Sequence, residues 1–271
     1  MRDFLIIAGL FILAKVSEKA PAVADSYYLK VKTVMPLESK YTNVGECLMT
    51  YPVVVMANGT GVPYRKYEEI FEHLASWGFV VIGNDDMESW NGYSSSKSLE
   101  VLLNLNETEN SVFYKKLDIN NIGIAGHSQG GVAAINAATE YENSDSFSSI
   151  YTASCTHLLL AESLKWTYDV SKINIPYFMV AGTGKVDSET ITPLSSLEEN
   201  MDLLNAGVLA VYARRKGADH GEMLTKADGY MTAWFRYTLM NDNEAKKVFL
   251  GDTPELENNS ENWTDVKINA Y

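Results

Sequence analysis

Residues 120–138, "NNIGIAGHSQGGVAAINAA", constrain this chain more tightly than any other stretch. An apolar run of strand length meets a run of small, helix-compatible residues, and Gly126-His127-Ser128-Gln129-Gly130 joins them. A buried strand can hand over to a helix so abruptly only if the two backbones nearly touch. Glycine at the flanking positions removes the Cβ atoms that would collide there. The serine is then forced into a strained conformation with its hydroxyl projecting from the turn. G-x-S-x-G alone is a common pattern, but its place between a buried strand and a small-residue helix reads as a nucleophile elbow.

The remaining sequence supplies the setting that such a turn needs. Continuous apolar runs at 51–57, 79–84, 121–126, 147–154, 175–182 and 207–213 have the length and composition of strands buried on both faces. An alternating run at 27–34 adds a further strand. Helical spacing of Tyr64, Tyr67, Ile70, Phe71, Leu74 and Trp77 marks a helix that Gly78 stops, and further helices are expected at 98–105, 131–141 and 222–240. Regular alternation of this kind predicts an α/β fold with a mostly parallel central sheet and helices on both faces. Residues 25–253 are expected to form one domain, and the polar, Asn-rich segment 254–271 a loosely held tail. Residues 155–174 are too few for a separate cap domain.

The formal net charge of -13 excludes nucleic acid and anionic membrane surfaces as natural partners, since both would repel the chain. Cys47 and Cys155 lack zinc-ligand spacing and read as buried free thiols, and no metal or cofactor is called for. Residues 4–14, "FLIIAGLFILA", are too short to span a bilayer but fit the core of a signal peptide, with Arg2 before them and Ala22-Val23-Ala24 as a cleavage site. Export to the cell envelope or beyond is the expectation. Asp3, Lys15, Glu18 and Lys19 depart from that pattern, and the alternative is an N-terminal helix over 1–24 on a cytoplasmic protein.

A serine hydroxyl needs a base, and the base an orienting acid. Of four histidines, His73 lies in the helix at 64–77 and His127 inside the elbow, and both read as structural. His157 follows the strand after the elbow and lines the cleft. His220 sits between the last expected strand and the long helix and is the expected base. In the chain order of such folds the acid falls between serine and histidine, which favours Asp187, with Glu189 in reserve and Asp169 after it. Two backbone N–H groups should face the developing oxyanion. Gln129 supplies one, and Thr60, between Gly59 and Gly61 after the strand at 51–57, the other.

These segments resemble the α/β-hydrolase superfamily from about residue 27 to residue 241. Within it they look like bacterial cutinase-like polyester hydrolases and dienelactone-hydrolase-like esterases. The likeness is carried by "HLASWGFVVIGND", "LDINNIGIAGHSQGGVAA", "IPYFMVAGTGKVD" and "GADHGE". It implies nucleophile Ser128, acid Asp187, base His220 and oxyanion amides from Thr60 and Gln129. Three positions depart from the polyester hydrolases: Thr60 stands where they carry an aromatic residue, Gln129 where they carry methionine, and His157 where they carry tryptophan. The expected activity is a serine carboxylesterase that forms an acyl-enzyme in an open cleft with His157, Trp166, Trp90 and Tyr93 near its rim. Short-chain or bulky-alcohol esters, including polyester oligomers, are the expected substrates. A peptidase or amidase of the same fold, or a non-catalytic binding protein, are the other readings of the same residues.

Overall fold

A computed structural model describes residues 4–8 and 50–270. The strand expected at 27–34, Cys47 and the leader-like stretch beyond residue 8 lie outside the described residues. One eight-stranded sheet runs in the order β1-β3-β2-β4-β5-β6-β7-β8. Its strands are β1 (Phe4–Ala8), β2 (Tyr51–Ala57), β3 (Val80–Asn84), β4 (Leu117–His127), β5 (Phe147–Ala153), β6 (Tyr177–Gly182), β7 (Ala210–Arg215) and β8 (Trp263–Asn269). Strands β2 to β7 are parallel, and β1 and β8 close the two edges antiparallel.

The helices are α1 (Glu68–Ser76), α2 (Tyr93–Glu107), α3 (Gln129–Ala137), α4 (Leu158–Ser163), α5 (Leu194–Leu203), α6 (Met223–Lys226), α7 (Asp228–Met240), α8 (Asn243–Phe249) and α9 (Glu255–Asn258). Val54 and Met56 pack with Phe71, Leu74, Trp234 and Phe235 on one face of the sheet. Val53 and Val55 pack with Leu99, Leu102, Val132 and Ile135 on the other. Because helices cover both faces, β2 reads as an unbroken apolar run rather than an alternating one. Trp234, fully buried on α7, donates its indole N–H to the Ile150 carbonyl at 3.0 Å and so ties that helix to β5.

Three sequence expectations give way here. The single helix expected at 222–240 is divided into a 3-10 turn at His220–Glu222, then α6, then α7, because Asp219 and Glu222 cap a new start at His220. The tail beyond Pro254 forms α9 and β8, and β8 pairs along β7 from Asn269 opposite Ala210 to Trp263 opposite Arg215. An edge strand needs only one buried face. Trp263 is buried against the Tyr230 ring, with centroids 4.7 Å apart, while the polar residues that made the segment read as a tail face outward. At the opposite edge Phe4–Ala8 runs as a strand beside β3 rather than a helix; so short an apolar run suits either backbone form. Between β5 and β6 the chain holds only α4 and the 3-10 turn Val170–Lys172.

Trp263→Ala should lower the unfolding free energy by about 3 kcal/mol in a urea titration, as expected for emptying a large buried site. An unchanged midpoint would mean that β8 does not hold the sheet edge.

Candidate active site

The parallel strands bring their carboxyl ends to one edge of the sheet, where the loops after β2, β4, β5, β6 and β7 gather. Strand β4 ends at His127, α3 begins at Gln129, and Ser128 between them has φ 60° and ψ -123°, a backbone region that side chains rarely occupy. A Cβ at Gly126 would overlap the Gly130 carbonyl, and one at Gly130 would overlap the Ala57 carbonyl. Strand β4, helix α3 and the end of β2 therefore meet backbone to backbone. The Ser128 N–H donates to the Ala153 carbonyl at 3.0 Å, which pins the turn to β5.

His220 Nε2 lies 2.9 Å from Ser128 Oγ, and its Nδ1 lies 2.7 Å from Asp187 Oδ1. With Nδ1–H donated to the carboxylate, Nε2 presents its lone pair to the serine proton. Asp187 is fully buried, and a carboxylate in that position needs donors. Its Oδ2 accepts the Gly182 N–H at 2.7 Å and the Ser154 hydroxyl at 2.5 Å. Ser154 follows β5 with φ 49° and gives its own N–H to the Val180 carbonyl at 2.7 Å. The sequence reading did not single it out; no motif marks it. The reserve acids are engaged elsewhere: Glu189 is exposed 3.9 Å from Lys185, and Asp169 accepts the Ser171 N–H at 3.0 Å.

The Gln129 N–H falls in the first turn of α3, which offers it no preceding helical carbonyl. In the loop after β2, the Gly59 N–H goes to the Tyr67 hydroxyl at 2.9 Å and the Gly61 N–H to the Met87 carbonyl at 3.1 Å. Among the described residues no hydrogen-bond acceptor takes the Thr60 N–H between them. The buried Gln129 side chain braces this loop: Oε1 accepts the Ser89 N–H at 2.9 Å, and the Ser89 hydroxyl donates to the Asn58 carbonyl at 2.6 Å.

His127 proves to be a neighbour of His220. Its Nε2–H donates to the His220 carbonyl at 2.8 Å, and the two rings lie 4.7 Å apart between centroids. Burial, and then the neighbouring His220, lower its pKa to about 4. His73, by contrast, joins α1 to α7 through Asp228.

The expected rim residues scatter. His157 opens α4 on the loop after β5 and gives its N–H to the Ile191 carbonyl at 2.9 Å, one strand over from the elbow. Trp166 is half-buried against the core. Trp90 lines a cavity of about 410 Å³ with Asn136, Tyr141 and Tyr168. Asn136 stands about two helical turns along α3 from Ser128. Tyr93 leans on Tyr141, with centroids 6.2 Å apart. Trp90 and Tyr93 thus make their contacts on the flank of α3 rather than with Ser128, His220 or Asp187, because Asn136 fixes the Trp90 and Thr167 carbonyls there at 3.0 and 2.9 Å.

The mostly parallel sheet with an elbow at the end of β4 makes this chain an α/β-hydrolase. More narrowly, residues 42–153 match the family model of chlorophyllases. That span is less than half of the chain and holds Thr60, Ser128 and Gln129 but neither Asp187 nor His220. No curated protein matches the chain. The likeness to polyester hydrolases rests on the residues quoted for it alone.

His127 also yields a pH dependence. In the unfolded chain it titrates near the ordinary imidazole value of about 6.5, and in the folded protein near 4. Between those values the unfolded state binds more protons, so stability is complete above about 6.5 and falls as the pH drops toward 4. The loss from this group should be on the order of 2 kcal/mol, allowing for its residual solvent contact. Chemical denaturation of the parent and of His127→Gln at pH 7.5 and pH 4.5 measures it. An equal loss in both proteins would exclude His127 as the source.

Proposed function

We propose that this α/β-hydrolase is a serine carboxylesterase that works through an acyl-enzyme on Ser128. The observation that carries the reading is the continuous relay from Ser128 Oγ through His220 to the buried Asp187, at 2.9 and 2.7 Å. In the acylation step His220 Nε2 takes the Ser128 proton as Oγ attacks the ester carbonyl, and the N–H groups of Gln129 and Thr60 receive the oxyanion. Asp187 stays ionised and stabilises the imidazolium. The alkoxide then leaves with the proton from His220, and a water activated by the same nitrogen releases the acid.

Support for an ester substrate comes from the chlorophyllase match over residues 42–153, which include the elbow. The short α4 connection between β5 and β6 supports an open cleft. Such a cleft cannot desolvate a long acyl chain, and each unburied methylene forfeits about 0.8 kcal/mol of binding. Acetyl to hexanoyl esters, esters of bulky alcohols and soluble polyester oligomers are therefore the proposed substrates. We also propose export on the leader-like residues 4–14; cleavage after Ala24 would remove β1 and leave β3 as the sheet edge, and an N-terminus beginning after Ala24 in protein recovered from cells is the outcome that carries it.

Ser128→Ala should reduce 4-nitrophenyl butanoate hydrolysis and fluorophosphonate labelling to background with the fold intact, and Asp187→Asn should lower kcat by roughly 10³ or more. Labelling at another serine, or a Ser128→Ala enzyme as fast as the parent, would remove the assignment. A kcat/KM that climbs steadily from butanoate to palmitate would instead point to an enclosed acyl tunnel.

A further inference from the structure

One carboxylate joins the loops that carry the acid and the base. Asp219 Oδ1 accepts the backbone N–H of His220 at 2.8 Å and the backbone N–H of Asp187 at 3.1 Å. Its Oδ2 accepts the N–H of Val186 at 3.3 Å. Acid and base of the relay thus hang from the same oxygen. Around this point the two loops run in contact. The Gly184 N–H donates to the Ala218 carbonyl at 2.7 Å, and the Gly217 N–H to the Thr183 hydroxyl at 2.9 Å. Gly184 can be nothing larger, because a Cβ there would overlap the Asp219 side chain. The amides of His220 and Asp187 hold the Asp219 carboxyl below the ordinary carboxylate range.

Asp219 also caps the turn His220–Glu222, with its own N–H taken by Glu222 Oε2 at 3.0 Å. A cap alone would need only the bonds within residues 219–222. The bonds to Val186 and Asp187 cross from the β7 loop to the β6 loop and have no part in capping.

We propose that Asp219 is a positioning residue for the relay: it sets the spacing of Asp187 and His220 through the backbone amides of both, and its negative charge favours the imidazolium that His220 becomes. It touches neither substrate nor reacting atoms. The inference rests on the proposed roles of Ser128, His220 and Asp187.

The test uses the full chain with 4-nitrophenyl butanoate. Asp219→Ala removes all three acceptor contacts and should lower kcat about tenfold or more, with KM within about twofold, since misplacement of reacting groups acts on the chemical step. Asp219→Asn keeps an oxygen for His220 and Asp187 but loses the charge. It should retain most of kcat at alkaline pH, while the acid limb of its kcat/KM profile moves to lower pH. Glu222→Ala breaks the cap without touching the bridge, and should lower Tm while leaving kcat within about twofold. An Asp219→Ala enzyme with the parent kcat, an unmoved acid limb in Asp219→Asn, or a Glu222→Ala loss as large as that of Asp219→Ala overturns the proposal. If Asp219→Ala does not fold, the acid limb of Asp219→Asn decides. Ser128→Ala is measured alongside: inactive, it leaves the relay standing whatever Asp219 does; fully active, it removes the relay and the bridge with it.

Discussion

Where β4 turns into α3, three stretches of backbone meet with no side chain between them, and much of the molecule follows from that contact. Gly126 lies on the Gly130 carbonyl and Gly130 on the Ala57 carbonyl, so strand, helix and the neighbouring strand end are locked at main-chain distance. The turn joining them leaves Ser128 no relaxed conformation, and its φ of 60° is the consequence. Strain of this kind costs about 1–3 kcal/mol and persists only where the surroundings over-determine it. Here they do: every residue of α3 is buried, and residues 122–126 of β4 are covered on both faces.

The same edge holds a second unusual serine. Residues 127 and 153 are partners in the register of β4 and β5, so Ser128 and Ser154 leave neighbouring strands side by side, both at positive φ. One presents its hydroxyl to His220 and the other to Asp187. A fully buried carboxylate without donors would give up its charge or disrupt the fold. Gly182 N–H, Ser154 Oγ–H and His220 Nδ1–H together satisfy its oxygens, so Asp187 can orient the imidazole.

What could be read from the sequence divides along physical lines. Apolar runs such as "YPVVVMA" and the glycines of the elbow are local signals, because each reports a constraint within a few residues of itself. Strands β2 to β7 and the strained turn at Ser128 were legible for that reason. Ser154, Asp219 and His127 matter through partners 33, 32 and 93 positions away in the chain, which no local pattern reports. Trp90 and Tyr93 show the converse: they were expected at the rim, yet the hydrogen bonds of Asn136 hold their segment along α3. The strand at Trp263–Asn269 was hidden because an edge strand with one wet face has the composition of a tail.

The sheet order also explains why such ties are needed. Strand β7 lies three places from β4, roughly 14 Å at the usual strand spacing. The loop after β7 must cross the ends of β6 and β5 to bring His220 Nε2 within 2.9 Å of Ser128. An error of 1 Å at the end of that reach costs about 10²-fold in rate, and the only regular structure within the loop is the short turn His220–Glu222. Its position is instead secured strand by strand. Gly184 and Asp219 bind it to the β6 loop, and the His127 ring takes hold of the His220 carbonyl where β4 ends. The His220 peptide is thereby held at its N–H by Asp219 and at its C=O by His127, which leaves the imidazole chiefly its own side-chain torsions to set, and the bond to Asp187 fixes those.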